Sequence, residues 1–280
     1  MKARVNRIIP FSSVDGPGNR TAIFFQGCNF NCLYCHNPET IHLCNNCGLC
    51  VNGCPTGALR IEGGKITYDR SLCCFCDQCI KICPHGSCPR ITEMTPEEVM
   101  AEVKKQVPFI RGITTSGGEC TLHKEFLKEL FPLAQACGLT TFIDSNGSLD
   151  FSKEPELMSV TDSVMLDIKA FSGEDHHKVT GRDNDMVLQN AHYLASIGKL
   201  YEVRTVVSPG LYDCEQTIRE TARMLAPYLK NTEIRYKMIK YRPMGVRENN
   251  KAQLRTPGNA YMEELKSIAI AEGFRDVVLT

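Results

Sequence analysis

The spacing of its cysteines constrains this chain more than any other feature of the sequence. Of 16 cysteines, three follow a C-x3-C-x2-C pattern at Cys28, Cys32 and Cys35. Eight more form two copies of a C-x2-C-x2-C-x3-C pattern, each followed by proline, at Cys44, Cys47, Cys50, Cys54 and at Cys73, Cys76, Cys79, Cys83. Thiols at such short and regular intervals are typical of metal centres wrapped by consecutive backbone turns.

The repeated pattern is that of the bacterial ferredoxins, in which the fourth cysteine of each run binds the other run's cluster. It predicts two 4Fe–4S clusters, one held by Cys44, Cys47, Cys50 and Cys83 and the other by Cys73, Cys76, Cys79 and Cys54. The open alternative is a pair of zinc sites, although zinc ligands usually form two pairs separated by roughly 12–20 residues. Residues 1–10 lack the apolar stretch of a secretory signal, so we expect a cytoplasmic protein without disulfides.

The first three cysteines have no obvious fourth partner. They predict a four-iron cluster with one iron open to an outside ligand, much as catalytic zinc keeps one open position. Their flanks are Asp15-Gly16-Pro17-Gly18 with Arg20 upstream and His36-Asn37-Pro38 downstream. Together these residues resemble the radical S-adenosylmethionine (SAM) superfamily, and within it the activating enzymes of glycyl radical enzymes that carry a ferredoxin-like insert. The resemblance extends over essentially the whole chain.

The resemblance also implies the chemistry. SAM would chelate the open iron of the cluster at Cys28, Cys32 and Cys35, and one electron would cleave it to methionine and a 5′-deoxyadenosyl radical. That radical would take a Cα hydrogen from one glycine of a partner glycyl radical enzyme. A flavodoxin or ferredoxin would supply the electron. We therefore expect three 4Fe–4S clusters together with SAM.

Hydrophobic periodicity predicts the architecture from the residues themselves. Strands at 20–26, 112–116, 139–144, 163–167, 200–207, 232–239 and 275–279 alternate with helices, the first of which begins after a capping box at Thr95. Such alternation indicates an α/β fold with a parallel sheet. We expect residues 1–40 and 91–280 to form a partial (β/α)6 TIM-like barrel, the fold that the family also implies, with residues 41–90 inserted as a ferredoxin-like domain.

Polar residues follow the predicted strands, at the edge where barrel enzymes carry their active sites. They are Gly117, Gly118, Glu119, Asp144, Ser145, Asp167, Lys169, Arg204 and Arg242. Each motif alone is ordinary, because Gly-Gly-Glu and Asp-Ser-Asn-Gly are common turn sequences and Asp167 could simply pair with Lys169. Their convergence after a three-cysteine motif favours a binding site.

Each functional group of SAM would need a binding partner among these residues. Two adjacent glycines would let the backbone approach the ligand, and Glu119 would accept from its ammonium group. Lys169, or Arg204, would pair with its carboxylate, and Lys169 joins the three cysteines as a candidate catalytic residue.

The resemblance adds further expectations. It implies that Tyr34 and His36 line the SAM pocket, and it matches Asp144, Ser145, Met165 and Asp167 to a site for a monovalent cation beside SAM. Asp167 could instead accept from the ribose. At the end of the sixth strand several relatives have histidine, where this chain offers Arg242. The loop Asp15-Gly16-Pro17-Gly18 would help to seat the glycyl loop of the partner.

Composition excludes other classes of partner. Lys plus Arg and Asp plus Glu are 32 each, and a formal net charge of zero argues against nucleic-acid binding by bulk positive charge. No run approaches the ~18–20 apolar residues of a membrane span.

Two other functions stay open, namely a radical SAM enzyme acting on a small molecule or another peptide, and a non-catalytic iron–sulfur electron carrier.

Overall fold

The computed structural model describes all 280 residues, which form eleven strands. They are β1 (Ala3–Ser12), β2 (Arg20–Phe25), β3 (Leu59–Glu62), β4 (Lys65–Tyr68), β5 (Thr92–Met94), β6 (Gly112–Gly117), β7 (Thr140–Ser145), β8 (Ser163–Asp167), β9 (Leu200–Val207), β10 (Arg235–Lys240) and β11 (Asp276–Leu279). Nine of these strands form one sheet in the order β11-β10-β9-β8-β7-β6-β2-β1-β5.

Helices connect and cover these strands. They are α1 (Leu49–Asn52), α2 (Gln78–Ile82), α3 (Pro96–Lys104), α4 (Lys124–Gln135), α5 (Pro155–Ser159), α6 (Gly173–Thr180), α7 (Asp185–Ser196), α8 (Cys214–Leu225), α9 (Glu248–Lys251) and α10 (Asn259–Ala271). None of them combines the length and the apolar character needed to cross a membrane.

Seven neighbouring strands pair in parallel, namely β2, β6, β7, β8, β9, β10 and β11. Strands β1 and β5 are added antiparallel at the edge next to β2. Because β11 and β5 each have only one neighbour, the sheet stays open. Buried side chains of the strands and of the long helices form one core cluster of 52 residues. The predicted α/β partial barrel is confirmed, and the carboxyl ends of its parallel strands meet at one edge.

Strand β1 was not expected from the sequence pattern. Its pairing with β2 shifts register between Val5 and Arg7 and again between Ile9 and Ser12. These irregularities interrupt the two-residue alternation by which a half-buried strand is recognised. The sequence of the N-terminal segment therefore shows no strand pattern, although β1 pairs with β2 on one side and with β5 on the other.

The starts of the helices differ in how they are capped. At α6, Ser172 Oγ accepts from the backbone N–H of Asp175. The pattern at Thr256-Pro257 predicts a helix with Thr256 as its cap, but α10 begins after Gly258. At α3 the capping box of Thr95 and Glu98 is complete.

Residues 41–90 contain the hairpin of β3 and β4 and the short helices α1 and α2. They have a small core of their own, in which Cys50, Leu59 and Cys79 are buried together. The segment rejoins the barrel at β5, which pairs with β1.

Candidate functional site

A cavity of about 200 Å³ opens at the carboxyl ends of the parallel strands. The thiols of Cys28, Cys32 and Cys35 line it, and so do all residues predicted to contact SAM except Arg204 and Arg242. Asn37, Thr40 and Asn146 also line it and were not predicted. The structure thus brings together residues from the first cysteine loop and from the ends of β6, β7 and β8.

The three thiols share an environment that disfavours the free thiolate. Burial raises the pKa of Cys32 to about 11, and burial together with nearby Glu119 raises the pKa of Cys28 to about 12. Burial also raises the pKa of Cys35. A metal centre must therefore compensate for the cost of ionising these thiols, and its binding releases their protons.

The cysteine loop is held in place by residues distant in sequence. Asn31 N–H donates to Thr180 O and Leu33 N–H to Val179 O, both 2.9 Å, at the end of α6. Asn250 Nδ2 in α9 donates to Leu33 O at 2.8 Å, and Arg247 Nη2 donates to Cys32 O at 3.2 Å. These supporting residues carry no recognisable motif, and sequence reasoning missed them.

The two glycines after β6 are required by neighbouring backbone. A Cβ on Gly117 would lie 2.3 Å from Phe25 N, and a Cβ on Gly118 would lie 2.2 Å from Gly27 O. Backbone atoms of Phe25 in β2 and of Gly27, which precedes the first cysteine, leave no room for a side chain on these two glycines. The sequence expectation assigned the glycines to close approach of a ligand, and the structure gives close packing against β2 as the immediate reason.

Glu119 is buried and holds the strand-end loops together. Its Oε1 accepts from Thr121 N–H, Thr121 Oγ1 and Ser145 Oγ at 3.1, 2.6 and 2.9 Å, and its Oε2 accepts from Asn146 N–H at 2.7 Å. Burial raises its pKa, and these hydrogen bonds oppose that shift. A carboxylate offers about four lone-pair sites, two on each oxygen, so Oε2 still has acceptor capacity towards the cavity.

Lys169 and Asp167 form an ion pair on the cavity wall, with 2.6 Å between Nζ and Oδ2. Burial lowers the pKa of Lys169, but Asp167, Cys32 and Tyr34 outweigh this effect and raise the pKa well above its ordinary value. Lys169 Nζ also lies 6.0 Å from the ring centroid of Tyr34. The hydroxyl of Tyr34 is buried and has no hydrogen-bond partner.

Arg204 lies deeper in the barrel, which does not favour the prediction that it pairs with the SAM carboxylate. Its Nη1 is 2.9 Å from Asp144 Oδ1, its Nε is 2.5 Å from Glu202 Oε1, and its Nη2 donates to Met165 Sδ. Of these three partners only Asp144 also lines the cavity. The buried carboxylate of Glu202, which sequence reasoning missed, holds this arginine.

The same contacts bear on the predicted cation site. Both carboxylate oxygens of Asp144 are engaged, one by Arg204 and the other by Ser116 Oγ at 2.9 Å. Burial raises the pKa of Asp144, and Arg204 opposes this shift. A fixed guanidinium therefore already supplies positive charge at Asp144, which does not favour a monovalent cation there.

Arg242 contacts the site only through its backbone. Its side chain is exposed, and its carbonyl oxygen is 3.0 Å from His36 Nε2. The ring of His36 stacks on Tyr241 with 6.5 Å between centroids, and a Cβ on Gly245 would lie 2.3 Å from His36 O. The loop after β10 thus orients His36, and the expectation of a side-chain contact from Arg242 is not met.

The loop at Asp15-Gly16-Pro17-Gly18 reaches into the barrel from the side of β1 and β2. Thr114 Oγ1 donates to Asp15 O at 2.6 Å, and Lys237 Nζ donates to Val14 O at 3.1 Å. Thr114 precedes the cavity residue Ser116 by two positions in β6, so the loop lies roughly 7 Å along the strand from the cavity wall. Arg20, fully buried, anchors the end of the loop through Thr114 and Thr140.

In residues 41–90 the thiols form two groups. Cys54 lines one small cavity together with Cys73, Cys76 and Cys79 and with Cys74, which lies outside the predicted ligand sets. Burial raises the pKa of Cys50 to about 11, with further contributions from nearby Cys44, Cys83 and Cys47. The structure therefore brings the last cysteine of each run beside the first three of the other run. No three His, Cys, Asp or Glu side chains converge closely enough to hold a single metal ion.

The hydrogen bonds to Cys73 distinguish it from the buried thiols. Phe75 N–H donates to its Sγ at 3.4 Å, and the side chains of Tyr68 and Arg90 lie close enough to favour its thiolate. Burial raises the pKa of Cys73, but these donors outweigh burial and lower it. Among the remaining thiols Cys120 is fully buried, and its Sγ donates to Asp144 O at 3.4 Å.

Comparison with known proteins finds relatives over most of the chain. The family model described as the radical SAM superfamily matches residues 22–225. The pyruvate formate-lyase-activating enzyme of Streptococcus mutans is 34% identical over 250 residues, covering 86% of this chain and 78% of that protein. The indoleacetate decarboxylase activating enzyme of Tractidigestivibacter scatoligenes is 27% identical and covers 99% of this chain and 98% of that protein.

Solved structures agree on the fold. A domain of a pyruvate-formate lyase-activating enzyme from Bacteroides vulgatus superposes with a TM-score of 0.52 at 21% identity, covering 60% of this chain and 98% of that domain.

Proposed function

This chain belongs to the radical SAM superfamily and to its glycyl-radical enzyme activating enzymes, and we propose that it generates a glycyl radical in a partner enzyme by reductive cleavage of SAM. When bound, a 4Fe–4S cluster with SAM on its open iron supplies one-electron cleavage of the S–C5′ bond and the 5′-deoxyadenosyl radical that takes the glycine hydrogen. The observation that carries the proposal is the single cavity lined by the three thiols, Glu119 and Lys169.

The residues of the cavity would bind and orient SAM. Lys169 offers a cation for the carboxylate of SAM. Asp167 holds the ammonium group of Lys169 in place. Glu119 Oε2 offers acceptor capacity for the amino group, while its other contacts keep Ser145 and Asn146 in position. Tyr34 also lines this cavity, and its buried hydroxyl has no hydrogen-bond partner. No general base is needed, because the proposed reaction moves a hydrogen atom.

The loop at Asp15 is proposed to receive the partner's glycyl loop. The proposal is supported by its contacts with Thr114 and Lys237 in the barrel interior, near the cavity. Asp15→Asn tests it through activation of the partner. An unaltered activation rate and unaltered partner affinity would remove Asp15 from the site.

Residues 41–90 are proposed to bind two 4Fe–4S clusters that relay electrons to the cavity, as a ferredoxin-like domain. The pairing of Cys54 with the 73–79 run supports the crossed ligand sets. Cys50 of one set and Cys79 of the other share a small core, so the two clusters would be neighbours. Cys28 N–H donates to Ile41 O at 3.0 Å, and Cys44 is three positions after Ile41, a span of at most about 11 Å.

The order of the relay follows from these contacts. The cluster at Cys44 would be nearer to the cavity, and the cluster at Cys73 would be the outer one. Cys47→Ala and Cys76→Ala test the relay separately. Each variant should lose activity with flavodoxin or ferredoxin as donor and keep activity with dithionite. Loss with both reductants would contradict a simple relay.

The first experiment on function is anaerobic. The full chain is reconstituted with iron and sulfide, reduced with dithionite and given SAM, and 5′-deoxyadenosine is quantified. We expect product from the native chain and from Cys137→Ala, whose thiol lies outside the ligand sets, and none from Cys32→Ala. No product from the native chain with reduced clusters would favour an electron carrier.

The partner is then tested by electron paramagnetic resonance. Candidate glycyl radical enzymes are added to the same mixture, and we expect a protein glycyl radical that depends on Cys32. Turnover of SAM that leaves every candidate without a radical would favour the alternative, a radical SAM enzyme that acts on a small molecule or another peptide. We propose the cytoplasm as the site of this reaction.

A further inference from the structure

Arg90 borders the thiols of one ligand set in the inserted segment. It lines the same small cavity as Cys54, Cys73, Cys76 and Cys79. Its side chain is only 16% exposed, although arginine is usually a surface residue. A buried guanidinium beside the four thiols of one predicted ligand set calls for an explanation beyond surface solubility.

The guanidinium is held by the two residues that flank Cys76. Arg90 Nη2 lies 2.7 Å from Asp77 Oδ1, and its Cζ lies 6.0 Å from the ring centroid of Phe75. Phe75 in turn donates its N–H to Cys73 Sγ. Arg90 is thus fixed relative to the thiols from two sides.

Asp77 does not cancel this positive charge. Its side chain is 56% exposed, whereas that of Arg90 is 16% exposed. Water screens the exposed carboxylate more strongly than the covered guanidinium, so the field at the thiols is dominated by the cation. Arg60 on β3 has the same charge, but it is exposed and does not line the thiol cavity.

We infer that Arg90 sets the reduction potential of the cluster bound by Cys54, Cys73, Cys76 and Cys79, making it easier to reduce. The inference rests on the proposed clusters of the inserted segment. Reduction adds one negative charge to a cluster, and a nearby cation or hydrogen-bond donor stabilises that charge. Arg90 therefore favours the transfer of an electron from the outside donor onto this outer cluster.

The test uses the full chain with Cys32→Ala, so that the cluster of the main cavity does not contribute. The reconstituted protein is titrated with reductant under anaerobic conditions and followed by electron paramagnetic resonance. The signal that disappears in Cys76→Ala identifies the cluster of interest. Arg90→Gln should shift the potential of this signal downwards, and Asp77→Asn should shift it upwards.

Arg60→Gln is the matched control, because it removes the same charge from an exposed position of the same segment. It should leave the potential unchanged. Arg90→Lys keeps the charge and should retain most of the native reduction potential. It provides a second measurement if Arg90→Gln fails to assemble its clusters.

The failures are distinguishable. An unchanged potential in Arg90→Gln, an unchanged or lowered potential in Asp77→Asn, or an equal shift in Arg60→Gln would overturn the role of Arg90. Absence of any Cys76-dependent signal in the starting protein would instead overturn the proposed cluster.

Discussion

Lys169 Nζ lies 2.6 Å from Asp167 Oδ2, and both side chains stand on the wall of the cavity that the first three cysteines line. The pair is local, because the two residues are separated by one position. Its position at the cavity makes the lysine available to an anionic group of a ligand while Asp167 fixes its direction. The structural role and the binding role of this pair are therefore compatible.

Lys169→Met should weaken SAM binding about 10- to 100-fold. A hydrogen bond to a charged group contributes roughly 1.5–3 kcal/mol, and the substitution also leaves Asp167 unpaired near the SAM carboxylate. The measurement is equilibrium binding of SAM to the reconstituted protein. Lys153→Met is the control, since its side chain is 81% exposed and pairs only with Asp150. Equal affinity of Lys169→Met and the native chain would exclude Lys169 from SAM binding.

Gly118→Ala should disrupt the strand-end loop and abolish 5′-deoxyadenosine formation. The added Cβ would meet Gly27 O at 2.2 Å and Thr40 O at 2.9 Å, and backbone atoms cannot move away cheaply. Overpacking of this kind costs roughly 1–3 kcal/mol or more. Gly258→Ala is the control, because no atom lies within 4 Å of its Cβ. Thermal unfolding and SAM cleavage are measured together, and native behaviour of Gly118→Ala would contradict the close approach of these backbones.

Asn250→Ala should speed the loss of iron from the main cavity without removing a ligand. Asn250 Nδ2 donates to Leu33 O at 2.8 Å, between two of the cysteines. Loss of this bond removes roughly 1 kcal/mol of support from the loop, enough for a several-fold effect. Iron release to a chelator is followed in chains that carry Cys47→Ala and Cys76→Ala. The neighbouring Asn249→Ala, on an exposed side chain, should release iron at the native rate. The same rate in both variants would show that the contact does not hold the loop.

His176 should make the fold sensitive to acid. It is fully buried in α6, and burial lowers its pKa to about 4 from an ordinary value of 6.5. As the pH falls through 6.5 towards 4, the unfolded chain binds a proton that the folded chain excludes, so stability is lost over this window.

At pH 5.5 this loss is on the order of 1 kcal/mol. His176→Gln should therefore show a smaller drop in melting temperature between pH 7.5 and pH 5.5 than the native chain. His177→Gln, on the exposed side chain next to it, serves as the control. A drop of native size in His176→Gln would assign the acid sensitivity to other groups.

The cysteine ligand sets and the alternation of strands and helices could be predicted from the sequence, because both depend on local spacing. The capping box at Thr95 is of the same kind, since its partner Glu98 is three residues away. Strand β1 was missed because its register shifts break the alternation. The supports of the cysteine loop at Arg247 and Asn250 were missed because no local pattern marks a contact across more than two hundred positions.

The sequence by itself determined which thiols belong together, where the parallel strands run, and that their ends carry polar residues. Only the tertiary structure decided which of those polar residues face the cavity. Lys169 lies two residues past the end of β8 and reaches it, whereas Arg204 of β9 is level with Asp167 in the sheet, roughly 7 Å deeper than Lys169, and pairs with Asp144 and Glu202. Depth along a strand and the partners available there set the role of a charged side chain, and neither can be read from the residue alone.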